Sequence, residues 1–183
     1  MIKKKINILR EKFHKFNIDG YIIPKNDEFF SEYSQKDRLK TISNFSGSAG
    51  CAIILRKKNY LFVDGRYTIQ AEIESGKEFI ITKYEKIQDC HLFKNLTIGF
   101  DPTLFTSKQI SRFLLKYNKV KEIQKNLIDT IFNNYTSKSK PFFSLDKKIV
   151  GESHIKKINK ISSILKKKKI NYLFVTELEN VAW

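Results

Sequence analysis

Cys51-Ala-Ile-Ile-Leu-Arg-Lys-Lys-Asn-Tyr-Leu-Phe-Val63 is the stretch that decides the fold class of this chain. Cys51 to Leu55 and Tyr60 to Val63 are apolar runs rich in β-branched and aromatic residues. The polar Arg56-Lys57-Lys58-Asn59 between them is short, which predicts an antiparallel hairpin. Immediately downstream, Asp64 is placed to cap a helix over Arg66 to Ser75, with Gly76 just past its end. Strand, turn, strand, then helix is the start of an α/β unit.

Working outward, Ile2, Ile6, Leu9, Phe13 and Phe16 recur at helical spacing and lead into the run Tyr21-Ile22-Ile23, closed by Pro24. Lys25 to Asn44 has no clear period and reads as a long loop with at most a short helical turn. Beyond the first helix-strand-strand-helix unit, strands are predicted over Phe79 to Tyr84, Leu96 to Phe100 and Val120 to Ile123. Thr106 and Gln109 form a capping-box pattern ahead of the stripe Ile110, Phe113, Leu114, Tyr117, which predicts a helix. A short helix over Leu127 to Phe132 completes a first domain at 1–132; 133–150 reads as a linker, since Asn133 to Lys140 holds mainly Ser, Thr, Lys and Asn.

An internal repeat follows. An offset of 152 places Ile6 on Ile158, Leu9 on Ile161, Phe13 on Leu165, Ile18 on Ile170, Ile22 on Phe174 and Ile23 on Val175. The expectation is that 151–183 is the incomplete start of a second, related α/β domain: a helix and then a strand whose apolar face the remaining residues cannot bury.

Composition bounds the function. With 183 residues, 41% hydrophobic, 15 Phe and 8 Tyr, the chain can build a core. No apolar run approaches the roughly 20 residues that span a bilayer, and residues 1–16 lack a signal-peptide core, so a cytoplasmic protein without a membrane partner is expected. The net charge of +16 invites a nucleic-acid partner, but 30 of the 35 basic residues are Lys, whereas bidentate phosphate and base contacts favour Arg. A Lys-rich nucleic-acid-binding module is therefore kept as an alternative to be tested, beside a stand-alone dimerisation or regulatory domain.

Chemistry-bearing residues are few. Cys51 and Cys90 fit no metal or disulfide pattern, and His14, His91 and His154 have no acid at triad or ligand spacing. Ser46-Gly47-Ser48-Ala49-Gly50 is neither a phosphate loop nor a nucleophile elbow, because it leads into a strand. Asp27, Glu28 and Glu32 read as solvated acids of the long loop. Asp64-Gly65-Arg66-Tyr67 differs: it leaves a strand where a helix begins, the place where α/β sheets present side chains to ligands. There Arg66 can grip a carboxylate or peptide carbonyl, or be a surface ion pair beside the Asp64 cap.

Taken together, DRL at Asp37–Leu39, NFSGSAG at Asn44–Gly50, LFVDGRYTIQA at Leu61–Ala71, IGFDP at Ile98–Pro102, NLID at Asn126–Asp129 and GES at Gly151–Ser153 resemble the N-terminal region of Xaa-Pro aminopeptidases. The creatinase-type N-terminal domain of that family is a mixed α/β sheet flanked by helices, similar to ribonuclease H-like folds. The resemblance implies a metallopeptidase that removes an N-terminal residue preceding proline, with two related α/β domains ahead of a catalytic domain. It implies a dinuclear metal site, usually manganese, made wholly in that catalytic domain, so that no catalytic residue, metal ligand or cofactor is expected in this chain. A homodimer, a substrate entrance walled by the first domain and a peptide-binding role for Arg66, supported by Asp64 and Tyr67, are implied as well. The sequence departs from the pattern at Phe29, where relatives often carry His, at Asn44, where Gly is common, and around Phe132 to Pro141.

Overall fold

A computed structural model describes residues 2–31, 36–89, 91–132, 141 and 143–183 and divides the chain into two units, Met1–Tyr135 and Thr136–Trp183. In the first, six strands form one mixed sheet in the order β4-β3-β2-β1-β5-β6. They are β1 (Gly20–Pro24), β2 (Gly50–Leu55), β3 (Asn59–Val63), β4 (Ile80–Lys83), β5 (Thr97–Phe100) and β6 (Lys119–Glu122). The predicted hairpin is present, with Ile53 opposite Tyr60 and Cys51 opposite Phe62. β2 also runs antiparallel to β1, whereas β1–β5, β5–β6 and β3–β4 are parallel, so β2 alone is reversed.

The unbroken apolar runs of the central strands follow from burial on both sides of the sheet. Every residue of β1, β2 and β3 is buried. Tyr21, Ile23, Ala52, Ile54, Leu61 and Val63 face one core together with Ile6, Leu9 and Phe13 of α1 (Ile2–Phe16). Leu39 and Ile42 of α2 (Arg38–Ser43), Ala71 of α3 (Thr68–Ser75) and Leu127 and Ile128 of α5 (Leu127–Ile131) pack into the same core. Ile22, Cys51, Ile53, Tyr60 and Phe62 face the other, closed by Ile87, Phe93, Leu104, Phe105 and α4 (Ser107–Ile110). The expected helix after the Thr106–Gln109 capping box is shorter than the apolar stripe, because α4 widens into a π turn over Ser111–Leu115.

Two local expectations are refined. The helix predicted from Arg66 starts instead as a single 3-10 turn, Gly65–Tyr67, before α3. The loop from Lys25 holds a two-turn helix, α2, capped by the Asp37 side chain and ended by Asn44 at φ 65°.

In the second unit, α6 (Lys147–Val150) falls within the stretch read as linker and is followed by α7 (His154–Lys167) and α8 (Leu178–Ala182). α7 ends as α1 does, at the offset of 152. Ile18 N donates to Phe13 O and Asn17 N to His14 O at 3.1 Å each, and Ile170 N donates to Leu165 O and Lys169 N to Lys166 O at 3.0 and 3.1 Å. Asn17 and Lys169 both take positive φ, 48° and 55°. The strand expected around Phe174 has no ladder partner among the described residues and is not formed. A strand exists only through pairing with a neighbour, and the ending shared by α1 and α7 is the common helix C-cap with a positive-φ residue, which α2 also has at Asn44.

Because Phe62 is fully buried and packs beside Tyr60 and Phe93, Phe62→Ala is expected to cost roughly 3–5 kcal/mol. The urea midpoint of unfolding, followed by circular dichroism, measures it.

Candidate functional site at the carboxyl edge of the sheet

Five of the six strands point the same way, so the loops after β1, β3 and β5 leave from one edge of the sheet together with the loop that enters β2. After β1 the chain turns to the face carrying α2, and after β5 to the face carrying α4. Neighbouring parallel strands whose exits diverge make a crevice at their carboxyl ends, the usual ligand position in open α/β sheets.

Asp64-Gly65-Arg66-Tyr67 leaves β3 at this edge. The Asp64 Oδ1 accepts from the Arg66 backbone N–H at 3.0 Å and from its Nε at 2.9 Å. The side-chain bond, then the backbone one, holds the Asp64 carboxyl below the ordinary carboxylate range. The Arg66 guanidinium lies 5.4 Å over the Tyr67 ring, and its side chain is 73% exposed. Tyr67 OH is 2.9 Å from Ser48 Oγ, and the ring meets Phe45 edge-on at 5.9 Å. The glycine cluster and the Asp-Gly-Arg-Tyr turn, separate motifs in the sequence, are thus one assembly. Glu74 of α3 fastens it further, accepting from Ser46 N at 2.7 Å and Ser46 Oγ at 2.6 Å. Gly47 is required by this packing, since a Cβ there would sit 2.3 Å from the Phe45 ring.

A second cluster forms where β1 exits. Arg38, only 2% exposed, donates Nε and Nη2 to the two oxygens of Asp129 at 2.8 and 2.7 Å, and Nη2 also to Glu28 Oε1 at 2.6 Å. Its Nη1 is buried with no hydrogen-bond partner among the described residues. Burial alone would lower the Arg38 pKa, but the bonds from Asp129 and Glu28 raise it overall. Glu28 shows the opposite balance: burial would raise its pKa, yet Arg38 pulls it below the ordinary value. Glu28 is therefore an ion-pair partner, and the reading of it as a solvated loop acid is corrected. Lys25 pairs with Asp37, and Asn26 Nδ2 donates to Leu104 O at 3.0 Å across the β1–β5 gap.

Asp27 holds the loop tip rather than facing water alone. Its Oδ1 accepts from Phe29 N and Ser31 N, both at 2.9 Å. Phe30 sits at φ 60°, a conformation that costs an L residue about 1–2 kcal/mol. Phe29 and Phe30 are nevertheless 71% and 48% exposed. The sequence offered one signal for the Arg38 cluster, an Arg in the Asp-Arg-Leu string of a chain in which 30 of the 35 basic residues are Lys, but not its partners at positions 28 and 129. Glu32 and Cys90 lie outside the described residues. Cys51 is fully buried, and burial pushes its thiol pKa up, which leaves it unreactive. Among the described residues no group of His, Cys, Asp or Glu converges as a metal site, and no helix is long and apolar enough to cross a membrane.

A mixed sheet with helices on both faces defines an α/β module. Residues 5–130 match the Creatinase/Prolidase N-terminal domain, and the chain belongs to that family. A Laccaria bicolor protein named a probable Xaa-Pro aminopeptidase P is 36% identical over 96% of this chain, which spans 30% of that protein. The crystal structure of X-prolyl aminopeptidase from Caenorhabditis elegans, described as a cytosolic enzyme with a di-nuclear active site, is 26% identical. It superposes with a TM-score of 0.70 over 92% of this chain and 32% of its own. An isolated creatinase/prolidase-like N-terminal domain of a putative metallopeptidase from Corynebacterium diphtheriae shares the fold, with TM-score 0.52 and 15% identity over 67% of this chain and 95% of that one. The chain thus spans about a third of the full-length relatives.

Removing the Arg38 side chain leaves the Asp129 and Glu28 carboxylates facing each other without their cation. Arg38→Ala is expected to cost roughly 3 kcal/mol or more, whereas Arg66→Ala leaves the urea midpoint unchanged. Because the folded-state pKa of Glu28 is depressed, its pairing contributes stability above the ordinary carboxylate pKa and loses it as pH falls through the lowered folded value. The gap in urea midpoint between the wild type and Glu28→Gln is expected to be open near neutral pH and to narrow as pH falls through the lowered folded-state pKa of Glu28.

Proposed function

We propose that this chain is the N-terminal, noncatalytic part of a Xaa-Pro aminopeptidase, and that its carboxyl edge walls the substrate entrance. One observation carries the reading: Arg66 is held by Asp64 and Tyr67 with its guanidinium turned outward where β3 ends. A guanidinium presents paired N–H donors, the geometry that grips a peptide carbonyl or carboxylate. Tyr67 is itself fixed by Ser48, so the cation is aimed before any ligand arrives. The relatives are peptidases by name, which favours a peptide with proline at its second position over a phosphate backbone as the ligand.

In this reading the chain works in the cytoplasm as part of a homodimer, and residues 151–183 begin a second α/β domain related to the first. The C. elegans neighbour is described as having a dinuclear site and as cytosolic. When bound, such a metal pair, manganese by the family resemblance, supplies an activated water for amide hydrolysis. The described residues of this chain offer no ligand set for it, so no step of hydrolysis is assigned to them. Their part is to bind and orient.

Titrating the isotope-labelled chain with Ala-Pro-Ala is expected to shift the amides of residues 64–67 saturably, with the shifts abolished in Arg66→Ala and weakened in Arg66→Lys, which keeps the charge but loses the fork. Unchanged shifts in Arg66→Ala would contradict the assignment. The purified chain, supplied with manganese, is expected to leave the peptide intact.

A further inference from the structure

We infer that Ser48 is a positioning residue: through the Tyr67 hydroxyl it sets the direction in which Arg66 presents its guanidinium, although Ser48 itself touches no ligand. This rests on the reading of Arg66 as peptide-binding, and it gives the Ser46–Gly50 loop a role that neither a phosphate loop nor a nucleophile elbow supplies. The starting point is how α3 lies against the segment that enters β2. Tyr67, Ala71 and Ser75 stand four positions apart on the core side; Ala71 and Ser75 are buried, and Tyr67 packs against the same core. Gln70 and Glu74, one position before Ala71 and Ser75, share the flank beside them. Polar contacts from four of these residues follow one segment in antiparallel order. Ser75 Oγ donates to Ser43 O at 2.8 Å, Glu74 accepts from Ser46 N and Oγ at 2.7 and 2.6 Å, Gln70 Nε2 donates to Ser46 Oγ at 2.9 Å, and Tyr67 OH lies 2.9 Å from Ser48 Oγ. The loop is thus fastened along the length of α3, and its last fastening is the one beside Arg66.

What that last contact fixes is a plane. The Tyr67 ring rests edge-on against Phe45 at 5.9 Å, and its hydroxyl is held by Ser48, so the ring is supported at its edge and at its tip. The Arg66 guanidinium lies over this ring at 5.4 Å, with Nε donating to Asp64 at 2.9 Å. Asp64 therefore anchors one nitrogen, while the ring sets the plane in which all the guanidinium donors lie. Two parallel N–H bonds to a carboxylate or peptide oxygen form only in that plane, so a ring free to swing would leave the fork unaimed. Ordering a long side chain at the moment of binding lowers affinity by roughly two- to tenfold, which is the loss that Ser48 prevents.

The Arg66 Nε–H resonance of the isotope-labelled full chain reports on this without any peptide. Ser48→Ala is expected to shift that resonance and lower its order parameter, and Ser48→Thr, which keeps the hydroxyl, to retain both. In the Ala-Pro-Ala titration, Ser48→Ala and Tyr67→Phe are each expected to weaken binding roughly two- to tenfold. The double variant should bind no more weakly than either single one, because the same hydrogen bond is missing in all three. A serine that only stabilises the fold would lower the urea midpoint and leave both the Nε–H signal and the affinity of the folded chain unchanged, which overturns the proposal; additive losses in the double variant overturn it too. Binding abolished by Arg66→Ala but untouched by Ser48→Ala removes the positioning role alone. No saturable shift in the wild type overturns the peptide reading of Arg66, and the Nε–H signal then decides by itself whether Ser48 holds the guanidinium.

Discussion

The Arg38 guanidinium can leave water because Asp129 receives it with both carboxylate oxygens and Glu28 takes the same terminal nitrogen from the other side. A buried charge of this kind stabilises little by itself, because its desolvation offsets most of the ion-pair attraction. What it provides is location. Asp129 belongs to α5, Arg38 to α2 and Glu28 to the loop leaving β1, so α5 is held to two segments about 90 or more positions earlier in the chain. The exit of β1 at the carboxyl edge of the sheet depends on that arrangement.

The sheet sets the rest. Reversing β2 between β1 and β3 brings the Ser46–Gly50 loop into the edge from which Asp64-Gly65-Arg66-Tyr67 departs, which is how Ser48 comes to meet Tyr67. Had the hairpin been a parallel crossover, the two motifs would lie at opposite ends of their strands. Fastening by Glu74 and Gln70 then ties both to α3. On this base the Arg66 guanidinium is held by Asp64 and over the Tyr67 ring.

Much of this was legible in the residues alone. The hairpin, α1, and the capping box of α4 follow from periodicity and from side chains that satisfy their neighbours' backbone, which are local effects. Arg66, Asp64 and Tyr67 could be singled out because a strand-to-helix turn is recognisable in sequence. The ion pairs of Arg38 could not, since Glu28 and Asp129 sit 10 and 91 positions away and only the tertiary fold decides that they meet. The positive φ of Phe30 was equally hidden, because nothing in Phe-Phe announces it. The strand expected around Phe174 was misjudged for a related reason: apolar pattern signals a strand, but a neighbouring backbone makes one.

α1 and α7 share the same C-cap hydrogen bonds and positive φ at the offset of 152, a motif common to many helices. The chain spans about a third of each full-length relative, and the central proposal is that it is the N-terminal part of a Xaa-Pro aminopeptidase. The intact mass of the endogenous polypeptide carrying this sequence, measured by immunoprecipitation and mass spectrometry from its native cell, tests that claim most directly. The account predicts a species roughly three times the 21.6 kDa of this chain. A single species at 21.6 kDa would contradict it.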